Sequence, residues 1–308
     1  MNYKPDPMPF SGTQLDFMEL GREPKAIKAH LDNPDAKALL FFKGKPALDN
    51  NLNLITAHPQ KLIETLGEES LHDPGLLFLG LRGTSPIFAV NLKEDDLRGL
   101  EPRLLPESFQ EIRMIASHMN MDDLAIIGRA RSFLDWHFNH NFCAKCGAKS
   151  RAEQSGLMRE CPACETEHYP RVNPVVIMMV THGDHCLLGA GHNFPDGAFS
   201  ALAGFVSPGE TPEDAVKREV MEEGDLRVAD PAYIFSQTWP FPSQLMMGFS
   251  CEAADREIKI DMKELRDARW FSKETVEHVF AKKSDAFLRP PRFTIAHHLL
   301  RHWLSKQG

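Results

Sequence analysis

A chain of 308 residues, 42% hydrophobic and 25% charged, has room for one large or two ordinary domains, and its composition sets aside disordered, collagen-like and disulfide-scaffold classes. Its formal charge of −8 argues against a domain that grips nucleic acid mainly through phosphates, which needs clustered Lys and Arg, though a local basic patch is compatible with it. No apolar run nears the roughly 18 to 20 residues of a membrane span. Met1 to Phe10 is polar and proline-rich, without the basic-then-apolar order of a secretory signal, so the expected compartment is the cytoplasm and no membrane partner is expected.

In chain order, strand-length apolar bursts at Ala38 to Phe42, Leu76 to Leu81 and Ile87 to Val90, separated by turn-like residues, predict a β-rich first domain. Phe109, Ile112, Ile115 and Met119 then recur at helical spacing, and a second helical stretch runs from Asp123 to His137. After a cysteine-rich segment, Val175 to Val180 and His185 to Gly189 read as strands joined at Gly183-Asp184. A helix from Pro212 to Glu223 follows, then strands near Tyr233 to Phe235, Leu245 to Phe249 and Ala268 to Phe271. A last helix carries Phe293, Ala296, Leu299, Leu300 and Trp303 on one face. The expected segments are 1–138, 139–170 and 171–308.

Four of the six cysteines form two tight pairs, Cys143-Ala-Lys-Cys146 and Cys161-Pro-Ala-Cys164. Two intervening residues let both sulfurs of a pair turn toward one ion, and two such knuckles close a tetrahedral zinc shell. The alternative, four reduced thiols without metal, requires two such pairs to arise close together by chance. A closed shell leaves no position for water, so the expected zinc, about one per chain, is structural. Cys186 and Cys251 are expected to be buried thiols.

In the segment from Gly204 to Leu226, Thr211 can cap a helix that starts at Pro212, with Asp214 as its capping-box partner. Glu219, Glu222 and Glu223 fall three and four residues apart on adjoining parts of that helix, and Arg218 relieves only part of their repulsion. A solvated acidic face is one reading. A site for hard cations such as Mg²⁺ or Mn²⁺, acting on phosphates, is the other, and the glycine-punctuated loop before the helix favours it.

Gly204, Glu210, Arg218, Glu219, Val220, Glu222, Glu223 and Leu226 fall on a pattern that resembles the Nudix hydrolase signature. Its terminal glycine is replaced by Asp225, which leaves the left-handed helix ending to Gly224 or to Asp225 itself. Downstream, Ser236-Gln-Thr-Trp239-Pro-Phe241-Pro-Ser-Gln244 resembles the element that marks the NADH pyrophosphatase branch, with Thr238 and Gln244 departing from it. The resemblance implies an α+β chain: a degenerate Nudix-like β-rich domain, a four-cysteine zinc ribbon, and a C-terminal Nudix α/β/α sandwich.

It also implies catalytic roles for Glu219, Glu222, Glu223 and Arg218, and metal ligation by Glu219, Glu222, Glu223, Glu264 and the Ala203 carbonyl, with about two to three Mg²⁺ or Mn²⁺ ions per site. Substrate contacts fall to Tyr169, Phe205, Ser236, Gln237, Trp239, Phe241, Gln244 and Ala296, with core packing as the alternative for Tyr169. The implied reaction hydrolyses the pyrophosphate of NADH or NAD⁺ to nicotinamide mononucleotide and AMP, in a homodimer. An RNA carrying NAD at its 5′ end is an alternative substrate, and a catalytically silent nucleotide-binding protein is a further alternative.

Overall fold

The computed structural model describes residues 3–18, 21–67, 74–98 and 108–306. They form two compact units: Phe10–Arg171 with the short segment Pro240–Ser243, and Met1–Pro9 with Val172–Trp239 and Gln244–Gly308. Among the described residues no helix is long and apolar enough to cross a membrane.

In the first unit, strand Lys37–Phe42 sits inside a six-stranded sheet, which is why nearly all its side chains are buried. It runs parallel to Ser85–Leu92 along one edge and antiparallel to Lys45–Pro46 and Thr56–Ala57 along the other. Leu40, Leu62, Phe78, Phe88 and Phe109 share its core. The helix expected across Phe109 to Met119 shrinks to Ile112–Ile115 and a 3₁₀ turn, because Phe109 is drawn into a β-bridge with Ala47. The next helix, Met121–Asn139, starts where the Asn120 side chain accepts the amides of Asp122 and Asp123.

The cysteine segment builds a three-stranded sheet, Arg151–Glu153, Met158–Glu160 and Glu167–His168. All four sulfurs lie within 4.8 Å of one another, with Cys143 and Cys164 Sγ 3.7 Å apart and Cys146 and Cys161 Sγ 3.5 Å apart. Sulfurs about 2.3 Å from a tetrahedral zinc sit about 3.8 Å apart, so the four thiols fit that ion. The Lys145 amide donates to Cys143 Sγ, and Thr166 Oγ1 lies 3.2 Å from Cys164 Sγ. Arg159, fully buried, fastens the ribbon by donating to the Ser150 hydroxyl and carbonyl, with its Nη1 3.0 Å from His137 Nδ1 on the long helix.

The second unit has another six-stranded sheet, ordered Ala232–Trp239, Gln244–Glu252, Asn173–His182, His185–Gly191 and Leu265–Ser272, with Leu202–Phe205 also paired to Asn173–His182. Alternation along Asn173–His182 sends Ile177 and Met179 to one face and Val176, Met178 and Val180 to the other. The first face packs against Val276, Leu299, Leu300 and Trp303 of helices Lys273–Phe280 and Ile295–Ser305, the second against Ala215, Val216 and Val220 of helix Pro212–Gly224. This is an α/β/α sandwich. Cys186 and Cys251 are buried in it.

The two sheets repeat one plan. Five strands of each begin with a hairpin, continue with a short antiparallel strand on the hairpin's first strand, then a helix, then a second hairpin whose last strand returns parallel to the first; the sixth differs, Leu15–Asp16 on Leu77–Arg82 in one sheet and Leu265–Ser272 on His185–Gly191 in the other. The helix at that position in the first unit, Pro59–Leu66, carries only Glu64 where the second carries its glutamate cluster.

The ribbon couples metal to folding. Elemental analysis of the purified chain is expected to give about one zinc per chain. Cys161→Ser should lower the melting temperature sharply, whereas a wild-type protein that melts unchanged after zinc removal would contradict the site.

Candidate active site

Helix Pro212–Gly224 is fixed at both ends. Thr211 Oγ1 accepts the Asp214 amide while the Asp214 carboxylate accepts the Thr211 amide, closing a capping box. At the other end Asp225 itself adopts the left-handed conformation, φ 55° and ψ 35°, and donates its amide to Met221 O. Lys259 Nζ lies 3.1 Å from the Asp225 carboxylate, so the departure from glycine is accommodated by a residue that tolerates this backbone and gains an ion pair.

On this frame Glu219 and Glu223, one turn apart, face Glu264 from the segment ahead of strand Leu265–Ser272, with carboxylate oxygens of all three within 4.8 Å of one another. Burial, opposed by Arg218, raises the Glu219 pKa. Burial pushes Glu223 up to about 8, reinforced by the charges of Glu219, Glu264 and Glu222. Glu223 Oε2 is buried without a hydrogen-bond partner. Converging hard oxygens with an orphaned buried acceptor fit a divalent cation, whose charge would relieve this repulsion.

Glu222 does not join the three. It lies one turn beyond Arg218, whose Nη1 donates to Glu222 at 2.8 Å and to Glu219 at 2.7 Å. The same guanidinium donates twice to Glu210, at 2.6 and 2.9 Å, and once to the Phe205 carbonyl. Arg218 and then the Ser207 amide hold Glu210 down to about 2. Arg218 therefore positions Glu219 and ties the Phe205 loop to the helix. Gly204 makes room for this: a Cβ there would fall 1.8 Å from Glu219 Cδ.

The carboxylates open into a cleft of about 710 Å³, lined by Glu223 and Glu264 together with Ala203, Phe205, Trp239, Gln244 and Ala296. Trp239 lies parallel to Phe293, ring centroids 5.9 Å apart. Other residues expected there stand elsewhere. Gln237 is completely buried, donating its amide to the carbonyls of Pro9 and Phe293 and accepting the Ile295 amide, so it shapes the wall from behind. The Ser236 hydroxyl meets Tyr233 Oη. Phe241 is buried in the first unit, edge-on to Phe10 and capped by the guanidinium groups of Arg113 and Arg131. Tyr169, also in the first unit, is 58% exposed and donates its hydroxyl to Glu167.

The cleft also contains Phe194, Phe199 and Arg289, which no motif marked. The available signal for Arg289 was the rigid Pro290-Pro291 pair just ahead of the last helix.

Three family models match the chain: an NADH pyrophosphatase-like rudimentary NUDIX domain over residues 35–136, an NADH pyrophosphatase zinc ribbon over 139–169, and a NUDIX domain over 170–290. NAD-capped RNA hydrolase NudC of Pseudomonas aeruginosa is 34% identical over 72% of this chain and 74% of its own length. The chain belongs to the Nudix hydrolase family. Its zinc ribbon and rudimentary first domain place it in the NADH pyrophosphatase branch. Within the family, NAD-capped RNA hydrolase NUDT12 of Homo sapiens is 38% identical over 90% of this chain and 59% of that protein. The mitochondrial NAD(P)H pyrophosphatase NUDT13 of Homo sapiens is 36% identical over 66% of this chain and 61% of that protein. The chain thus spans about three fifths of the length of these two human relatives.

Two outcomes follow from the carboxylate geometry. Because the folded pKa of Glu223 is raised from 4.5 to about 8, the metal-free protein loses stability as pH rises through that interval. Glu223→Gln should therefore raise the metal-free melting temperature more at pH 8.5 than at pH 5, and lower activity at least about a hundredfold with metal present; an equal melting shift at both pH values would refute the assignment. Gly204→Ala should also cut activity about a hundredfold or more by displacing Glu219 while a folded circular dichroism spectrum is retained.

Proposed function

We propose that the chain hydrolyses the pyrophosphate of NADH or NAD⁺, releasing nicotinamide mononucleotide, reduced when it comes from NADH, and AMP. The observation that carries this reading is the convergence of Glu219, Glu223 and Glu264, the last two lining a cleft that Trp239 and Phe205 also line. Carboxylates of this kind hold Mg²⁺ or Mn²⁺, and flat aromatic side chains accept the faces of adenine or nicotinamide.

Glu219, Glu223 and Glu264 would hold about two to three ions, with the Ala203 carbonyl and Glu222 as further donors. Such ions, when bound, neutralise phosphate charge and activate the attacking water. Arg218 holds Glu219 beside Glu223 and Glu264. The water oxygen forms the new bond to phosphorus, the bridging P–O bond breaks, and the bridging oxygen leaves with the other phosphate. Glu223, which lines the cleft where Glu222 does not, accepts the water proton.

Removal of an NAD cap from RNA is the second reading for the same cleft, favoured by the relatives that carry that name. We further propose three working parts, 1–138, 139–170 and 171–308, in a cytoplasmic homodimer. Cys186 and Cys251, free buried thiols outside the zinc ribbon, support a reducing compartment, and the exposed Phe138 and Phe142 rings support self-association.

Incubating the pure protein with NADH, NAD⁺, ADP-ribose or NAD-capped RNA, plus Mg²⁺ or Mn²⁺, and weighing the products by mass spectrometry tests the reaction; recovery of intact substrates would end the proposal. Trp239→Ala should reduce kcat/KM for NADH about tenfold more than for ADP-ribose, which lacks one base, because base stacking contributes about 1–3 kcal/mol. A constant ratio with a lowered melting temperature would make Trp239 a packing residue only.

A further inference from the structure

Beside the catalytic cleft lies a second cavity, of about 660 Å³, that the proposed reaction does not use. Arg289, Arg292 and Arg301 line it with Tyr3, and among the described residues no Asp or Glu contributes to its wall. Among the described residues none of the three arginines forms an ion pair. Arg301 stacks on the Tyr3 ring at 4.5 Å, and Arg289 sits over Phe280 with Nη1 3.5 Å from that residue's carbonyl. Such contacts hold a guanidinium in place without neutralising it. In a chain with 43 acidic and 35 basic residues, three uncompensated arginines around one cavity form a local exception.

Arg289 lines both this cavity and the catalytic cleft, so one side chain stands between them. A free dinucleotide has two phosphates, and both belong at the carboxylates, which leaves the arginines without an anion. A substrate that continues past the dinucleotide supplies one phosphodiester per further nucleotide. Guanidinium groups suit such oxygens, presenting two parallel donors and a permanent charge.

We propose that Arg289, Arg292 and Arg301 form the track for the first phosphodiesters of an RNA whose 5′ end is the dinucleotide bound in the cleft. The inference rests on the second reading of that cleft given above and adds to it the residues that hold the RNA beyond its cap. The 2′-phosphate of NADPH is a competing anion, but one phosphate matches one arginine rather than three.

The test compares wild type with Arg292→Gln, Arg301→Gln and the double variant, all outside the catalytic cleft, on NADH, NADPH and a short 3′-labelled NAD-capped RNA. For the double variant, kcat/KM on NADH should stay within about twofold of wild type, while kcat/KM on the capped RNA should fall about tenfold through KM. Fluorescence anisotropy of the same RNA without added metal should show about tenfold weaker binding. The slope of log affinity against log salt should shrink by about 1.4, the share of two contacts to a single strand. Arg301→Lys, which retains the charge, should recover most of the binding lost in Arg301→Gln.

Equal losses on NADH and capped RNA, or unaltered RNA binding and turnover, would overturn the track. A loss confined to NADPH would overturn it too, assigning the arginines to a ribose phosphate. Wild-type protein that cleaves NADH while the variants handle RNA normally refutes only the track. Wild-type protein that cleaves neither NADH nor capped RNA refutes the reading of the cleft, and the track falls with it.

Discussion

Holding three carboxylates within 4.8 Å of one another, two of them on buried side chains, opposes both solvation and Coulomb's law, and the second unit is built around sustaining it. Arg218 supplies the main internal counter-charge, but it reaches Glu219 and not Glu223. The repulsion left over, concentrated on a carboxylate oxygen without a partner, is the binding potential for a cation. The capping box, the left-handed Asp225 and the missing side chain at Gly204 all serve to place one turn of helix against one strand at the distance this requires.

The first unit shows what the same chain plan becomes without that constraint. Its sheet has the same sequence of hairpins and the same parallel return, yet its helix Pro59–Leu66 carries a single glutamate and ends at Gly67. Layer packing needs only the apolar face, Leu62 among it, and tolerates loss of the acidic one. Fold and chemistry are separable here, since the sheet topology survives where the carboxylates do not.

The segment from Ser236 to Gln244 divides its labour more finely than a linear motif implies. Trp239 and Gln244 line the cleft, while Gln237, on the same face of the strand as Trp239 but fully buried, bonds the start of the last helix and so sets where Ala296 stands. Phe241 lies two residues beyond Trp239 but is anchored among Phe10, Arg113 and Arg131. Strand alternation accounts for Gln237 and Trp239 differing from Thr238. The two prolines flanking Phe241 carry it out of the strand and out of the cleft.

Short-range chemistry was legible in the sequence. The two cysteine knuckles, the Thr211 cap, the strands around Val175 to Val180 and the glutamate helix all follow from spacing within about 20 residues, where covalent geometry leaves few options. Which glutamates meet was not legible, because Glu222 and Glu223 differ only in the direction each faces, and Arg218 draws one of them aside. Glu264 reaches the others across 41 and 45 residues, and Arg289 enters the same cleft from further still, so only folding of the sheet brings them together. Phe109 and Gln237 make the same point from the side of packing: a helical period and a recognition motif each yielded to a distant backbone partner, Ala47 in one case and Ile295 in the other. Local spacing determines what a residue can do, and tertiary structure decides which partners it has, because buried polar groups and charges must be satisfied by whatever the fold brings within reach.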